Sequence, residues 1–179
     1  MFYKSLFYVF FFISFSFQGC LTFHRISYEI NLENELKGKG TIKVYDIRSD
    51  AETDQEFGDD KNSLFDYMLK SEEFISDMRN EGKEVTSRRL YAEDDMLHAE
   101  VNFNFKDVKK VEGIEYDGSF YFLTMEPEDS INFTNGEVII SNNYKRILWD
   151  KNVETIEFEI IASDYDDGSY RKLAPFYEE

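Results

Sequence analysis

Few side chains in this sequence are of kinds that do chemistry singly or in small groups. There is one cysteine, Cys20, and there are two histidines, His24 and His98. A thiol ionises to a strong nucleophile and is the natural point for covalent attachment. Two imidazoles that met could share a proton or a metal. The third group is Arg89, Tyr91, His98, Glu100 and Asn102, which falls on either side of "EDD" at Glu93 to Asp95. If Asp94 and Asp95 form a two-residue turn, pairing sets Tyr91 opposite His98, Arg89 opposite Glu100 and Ser87 opposite Asn102. One sheet face then gathers an acid, a base, a cation, a hydroxyl and an amide. Such a face binds a polar ligand or partner if nothing covers it, and otherwise is a solvated face laced by an Arg89–Glu100 pair.

Other chemistries lack their residues. No Gly-x-Ser-x-Gly elbow, His-Glu-x-x-His pair or phosphate-cradling glycine loop is present. His24 is expected on the inward face of the first strand and His98 on the polar face of a later hairpin, so the two point apart. No metal or other cofactor is expected. The acidic runs "DAETDQEFGDD" and "DYDDG" lack the spacing of a calcium loop; after Asp164 the glycine comes early and Pro175 stands where a bidentate glutamate belongs. Carboxylates are numerous, yet no pair is singled out for two-acid hydrolysis.

The amino terminus decides what Cys20 is for. "MFYKS" carries one positive charge, and an apolar run follows from Leu6 to Phe17. About a dozen residues is short of the roughly 20 that a membrane-spanning helix needs, and the layout is that of a secretory signal. At its foot "FQGC" resembles the lipobox of bacterial lipoprotein precursors: Gly19 and Cys20 match, while Phe17 and Gln18 depart from its commonest residues. The resemblance implies cleavage after Gly19 and a diacylglyceryl thioether on Cys20. Residues 1–19 are then a discarded signal, and the membrane is met through acyl chains.

Loss of that segment removes Lys4 from 20 basic residues and none of the 37 acidic ones, taking the net charge from −17 to −18. A surface so acidic repels nucleic acid and anionic headgroups. With no second cysteine there is no disulfide, so a hydrophobic core must hold the mature chain together, and its length suits one domain.

Alternation after Cys20 (Thr22, His24, Ile26, Tyr28, Ile30 and Leu32 on one face) predicts a strand with no tether before it. "ELKGKG", Glu35 to Gly40, predicts a turn, and Thr41 to Ile47 a second strand pairing with the first. An acidic, helix-poor connection leads to one main helix, Ser63 to Asn80, with Ser63 and Asp66 as its capping box and Gly82 at its close. The Asp94–Asp95 hairpin follows, with Leu90 facing Ala99, Ala92 facing Leu97 and Thr86 facing Phe103. Then come strands Ser119–Met125 and Thr155–Ile161, with Asn135–Gly136 as a type I′ turn between "SINFT" and "EVIIS". Trp149 reads as a core plug.

The expected fold is thus α+β: an antiparallel sheet with one main helix in hairpin–helix–hairpin, ferredoxin-like order, followed by a further β-meander. The domain spans 20–162, and 163–179 is a polar tail whose late apolar cluster docks back. A small domain of this layout directly behind a lipidated cysteine is similar to the LppM-type envelope lipoproteins. The function expected is a lipid-anchored, non-catalytic binding or assembly module for an unknown envelope partner. With Leu21 rather than aspartate after Cys20, the outer membrane is the expected location where there are two. An envelope hydrolase using acidic residues and a carrier of lipid or hydrophobic cargo are the alternatives.

Overall fold

The computed structural model describes residues 21–162, 165 and 168–177; residues 1–20, including Cys20 and the expected signal segment, lie outside that set. Eleven strands and two α-helices follow one another as β1 (Leu21–Leu32), β2 (Gly38–Ser49), α1 (Asp54–Asn62), a π-helical turn (Ser63–Met68), α2 (Glu72–Asn80), β3 (Lys83–Glu93) and β4 (Met96–Phe105). Next come β5 (Glu115–Tyr116), β6 (Phe120–Met125), β7 (Ser130–Thr134), β8 (Glu137–Ile140), β9 (Lys145–Asp150), β10 (Thr155–Ile161) and β11 (Arg171–Lys172).

These strands make two antiparallel sheets. The larger has the order β3-β4-β2-β1-β10-β7, with β11 added along the end of β2; the smaller has the order β5-β6-β9-β8. The architecture is α+β and largely β. A ferredoxin-like unit alternates β-α-β-β-α-β. Here each hairpin pairs within itself, β4 joins β2, and β10 closes on β1, so the strand order is not the ferredoxin-like one.

One face of the large sheet is covered along its whole length. Tyr28 and Ile30 of β1, Phe103 and Phe105 of β4, and Ile156 and Phe158 of β10 pack against Tyr121, Leu123 and Met125 of β6 and Ile147 and Trp149 of β9. Toward the other end, Ile47, Leu90 and Leu97 meet Phe57 of α1, Leu64 of the π turn, and Leu173. Trp149 is buried here as expected of a core plug. The C-terminal stretch is built in: β11 pairs with β2, Leu173 is fully buried, and the Tyr177 hydroxyl donates to the Leu90 carbonyl at 2.9 Å.

Three local expectations are corrected. The glycines of "ELKGKG" are strand residues. Their partners are Phe105 and Phe103, and a Cβ on Gly40 would lie 2.3 Å from the Phe103 ring, so the glycines let two rings lie across β2. The turn is made by Asn34, whose side-chain oxygen accepts from the Leu36 and Lys37 amides at 3.0 Å each.

The single helix from Ser63 is in fact two, with a π turn between them. The first begins in the supposedly helix-poor connection, where Thr53 and Glu56 form a reciprocal capping box; Ser63 is the C-cap of that helix and caps no N-terminus. Ser71 caps the second through the Glu73 amide. Asn135–Gly136 is no type I′ hairpin: neither residue has a positive φ, and the chain passes there from one sheet to the other. Asn135 instead accepts the Trp149 indole N–H at 2.7 Å, and a Cβ on Gly136 would sit 2.6 Å from that nitrogen.

Candidate functional site

Among the described residues no second sheet or helix packs over the other face of the large sheet, and β3 and β4 place on it all five residues of the expected site. The register has Arg89 opposite Glu100, Tyr91 opposite His98 and Ser87 opposite Asn102. Asp94 and Asp95 both take positive φ in the connecting turn. The one departure is a bulge at Thr86, which leaves Val85 rather than Thr86 facing Phe103.

Because β4 pairs with β2, β2 with β1, and β1 with β10, the site residues extend into rows that cross the sheet. One row runs Arg89, Glu100, Lys43, Ser27, Glu159. Arg89 reaches Glu100 at 2.9 Å, Lys43 stands 3.9 Å from the same carboxylate, and Arg25 bonds Glu159 at 3.2 Å. The next row runs Ser87, Asn102, Thr41, Glu29, Glu157, in which Asn102 donates to the Ser87 hydroxyl at 3.0 Å and accepts from Thr41 at 2.7 Å. On the other side lies an aromatic row. Tyr91 sits 5.1 Å from the His98 ring, His98 sits 5.6 Å edge-on to Tyr45, and the Arg25 guanidinium lies 4.3 Å over Tyr45.

The electrostatics follow from these contacts. The hydrogen bond from Arg89 holds the Glu100 carboxyl below its ordinary range, against a smaller opposing push from burial; Asn102 and Lys43 add to the lowering. Arg89 is raised in turn. Burial raises the Tyr91 phenol, helped by Tyr45 and Glu100. Glu100 and Arg89 are therefore held charged, and Tyr91 neutral, at pH 7.

The histidines do not point apart as expected. His24 is exposed, His98 is buried, and both flank Asp46. Asp46 has φ 53° inside the continuous strand β2; Val44 and Ile47 on either side of it both pack into the core, while the β1–β2 register runs unshifted from Leu21–Ser49 to Leu32–Gly38. Its amide donates to His98 Nδ1 at 3.3 Å. Its carboxylate takes Arg48 Nε at 3.0 Å and Nη2 at 2.9 Å, and accepts the Tyr165 hydroxyl, whose ring lies 4.9 Å from His24. Burial pushes this carboxyl up, but Arg48 and Tyr165 outweigh it and hold it below the usual range.

Asp46 thus fastens the end of β2 beneath the aromatic row. Sequence reasoning missed Asp46, Arg48, Tyr45 and Tyr165. The signal available was the odd spacing of apolar residues in "VYDI".

Among the described residues no three of His, Cys, Asp and Glu converge as a metal-binding group. "DYDDG" falls largely outside the described residues. A polar cleft of about 120 Å³ lies on the open face between Lys43, Tyr45, Phe133, Glu157 and Glu159. A wider depression of about 500 Å³ lies on the small sheet, open to solvent between Phe120, Leu148 and Val153. Comparison with protein-family models, curated proteins and solved structures gives no match to this chain. What the arrangement offers chemically is an ordered set of hydrogen-bonding and cation–π groups on a broad sheet face.

Proposed function

We propose that this chain is a lipid-anchored envelope protein whose open sheet face receives a protein partner. The observation that carries the reading is the asymmetry of the large sheet among the described residues: one face is covered from end to end, and over the other no sheet or helix packs, yet it has ordered side chains in three crossing rows. Solvated faces need no such cross-strand order. Prearranged ion pairs and aromatic contacts reduce the entropy lost when a partner is bound.

Anchoring rests on the lipobox-like "FQGC" and places the domain directly behind Cys20, since β1 begins at Leu21. No helix among the described residues is long and apolar enough to cross a membrane.

Two measurements test the two halves separately. Cys20→Ala should release the chain from the membrane fraction; retention of the variant there overturns the anchor. Ser87→Glu with Arg89→Glu places like charges against Glu100 while altering only exposed positions. It should leave the Tm nearly unchanged and abolish in-cell crosslinking to the partner, whereas crosslinking as strong as the unaltered chain's removes the face from the proposal.

A further inference from the structure

Exposed sheet edges invite pairing, and proteins guard them with charge, proline, bulges or brevity. Three of the four edges among the described strands are guarded. On β3 stand Lys83, Glu84, Arg88, Arg89 and Glu93, β5 has two residues, and the pairing of β7 with β10 is broken by a bulge. β8, four residues long, is the least guarded, with one charge, Glu137, and neither proline nor bulge. Its last three residues are Val138, Ile139 and Ile140, exposed by 40%, 39% and 71%, and the strand pairs only on its β9 side.

We infer that β8 is the contact surface between two copies of this chain, paired antiparallel about a two-fold axis at Ile139. The register follows from the strand itself. A two-fold axis normal to the sheet keeps each face continuous only if residues of the same parity oppose one another. Val138 pairs with Ile147, a core residue, and Ile139 with Arg146, so Val138 and Ile140 share the core side while Ile139 lies on the outer side.

Centring the axis on Ile139 sets Ile139 against its own copy and Val138 against Ile140 of the other, so that every apolar residue gains an apolar partner. Centring it on Val138 would set Glu137 against Ile139. The first register is therefore the one that cross-strand chemistry favours.

Charge supports a second copy as the occupant. The chain carries −17 overall, which opposes self-association through most of its surface. At this edge β8 carries one acid, Glu137, and the adjoining β9 places two cations, Lys145 and Arg146, opposite Ile140 and Ile139, so the acidic excess is locally absent. The paired strands would join the two small sheets into one sheet of eight strands, and Val138 and Ile140 would close over the open side of the core. The contact is independent of anchoring and of the polar face.

Disulfide trapping in the full-length chain tests it. Ile139→Cys brings two thiols together at the axis, at the 4.5–5.5 Å Cα separation of directly opposed strand residues, roughly where a disulfide forms. Oxidation should give at least about tenfold more covalent dimer than Glu84→Cys on the guarded β3 edge, since only opposed positions lie within bridging reach. The unaltered chain reports any contribution from Cys20. Ile139→Lys, on an exposed position, should keep the Tm and halve the mass seen in sedimentation. Trapping no greater than at Glu84→Cys, or a single-chain mass for the unaltered protein, overturns the inference; a strand from another protein on this edge would give the first of these results.

Discussion

Lys83 is buried with only 5% of its side chain exposed, and its ammonium depends on Glu112 at 2.8 Å and Glu81 at 3.1 Å. Glu112 is itself 11% exposed, while Glu81 is 42% exposed, so the two contributions differ. Tyr28 donates to the other Glu112 oxygen at 3.3 Å, which ties the pair to the inter-sheet core. Glu112→Gln keeps shape and hydrogen-bonding capacity but removes the charge. The buried ammonium then loses its nearest carboxylate, and removing one member of a buried pair costs about 3–5 kcal/mol.

Glu81 offsets part of that, which puts the loss near the lower bound, about 3 kcal/mol. Lys83→Met should cost a similar amount by orphaning Glu112. The double variant, with neither charge of the pair left, should lose less than the sum of the two single losses by about 2 kcal/mol or more. Urea unfolding of the four proteins measures the cycle. Additive losses would refute the reasoning, because they would mean that Lys83 and Glu112 do not depend on one another.

The same network predicts behaviour in alkali. Burial pushes Lys83 down, but Glu112 and Glu81 outweigh it and raise it above 10.5, while burial and Glu112 raise Tyr28 above 10.0. Both shifts give stability that is complete below those values and lost as pH rises through the folded ones, so the unaltered chain should lose more stability above about pH 10 than the double variant with Tyr28→Phe. Asp60 has the opposite effect. Its carboxyl is raised by burial and by Asp50, Asp59 and Glu56, against the Ser49 hydrogen bond at 2.5 Å, so its ionised form opposes folding above about pH 4. Asp60→Asn should therefore raise the Tm at pH 7, a gain that vanishes below pH 4; a lower Tm at pH 7 would refute this. Thr53→Ala removes the capping box of α1 and should cost about 1 kcal/mol, lowering the Tm by roughly 2–4 °C. Gly40→Ala drives a methyl into the Phe103 ring, so it should destabilise by about 1–3 kcal/mol in urea unfolding, partly recovered by Phe103→Leu.

What could be read from the sequence divides along physical lines. The β3–β4 register was legible because its pairing is local: two alternating strands flank a two-residue turn, and one choice of turn sets every apolar residue on one side. β4 beside β2 and β10 beside β1 were not legible. Period two assigns a residue to a face but says nothing of which strand lies next to it, and these partners are separated by long stretches of chain. Helix α1 was hidden for another reason. Five of its nine residues are charged and only Phe57 among them is a large apolar one, with Phe57 and the carboxyl-bearing Asp60 its only buried positions, so the periodic signal was absent although Thr53-x-x-Glu56 announced the cap.

The candidate site shows the same division in one place. Its β3 and β4 residues are on the open face because their alternation is unbroken. His24 was misplaced because one residue far from it in sequence, Asp46, takes a left-handed conformation directly across the β1–β2 pair. Val44 and Ile47, on either side of it, both pack into the core although the β1–β2 register is unshifted. Aspartate tolerates that conformation, and Arg48, Tyr165 and His98 hold it in place from β2 itself, the C-terminal stretch and β4. The cost of the left-handed conformation is thus met by contacts drawn from three separate parts of the chain. Only a tertiary arrangement brings those together, and so the convergence of both histidines on Asp46 had no counterpart in any local pattern.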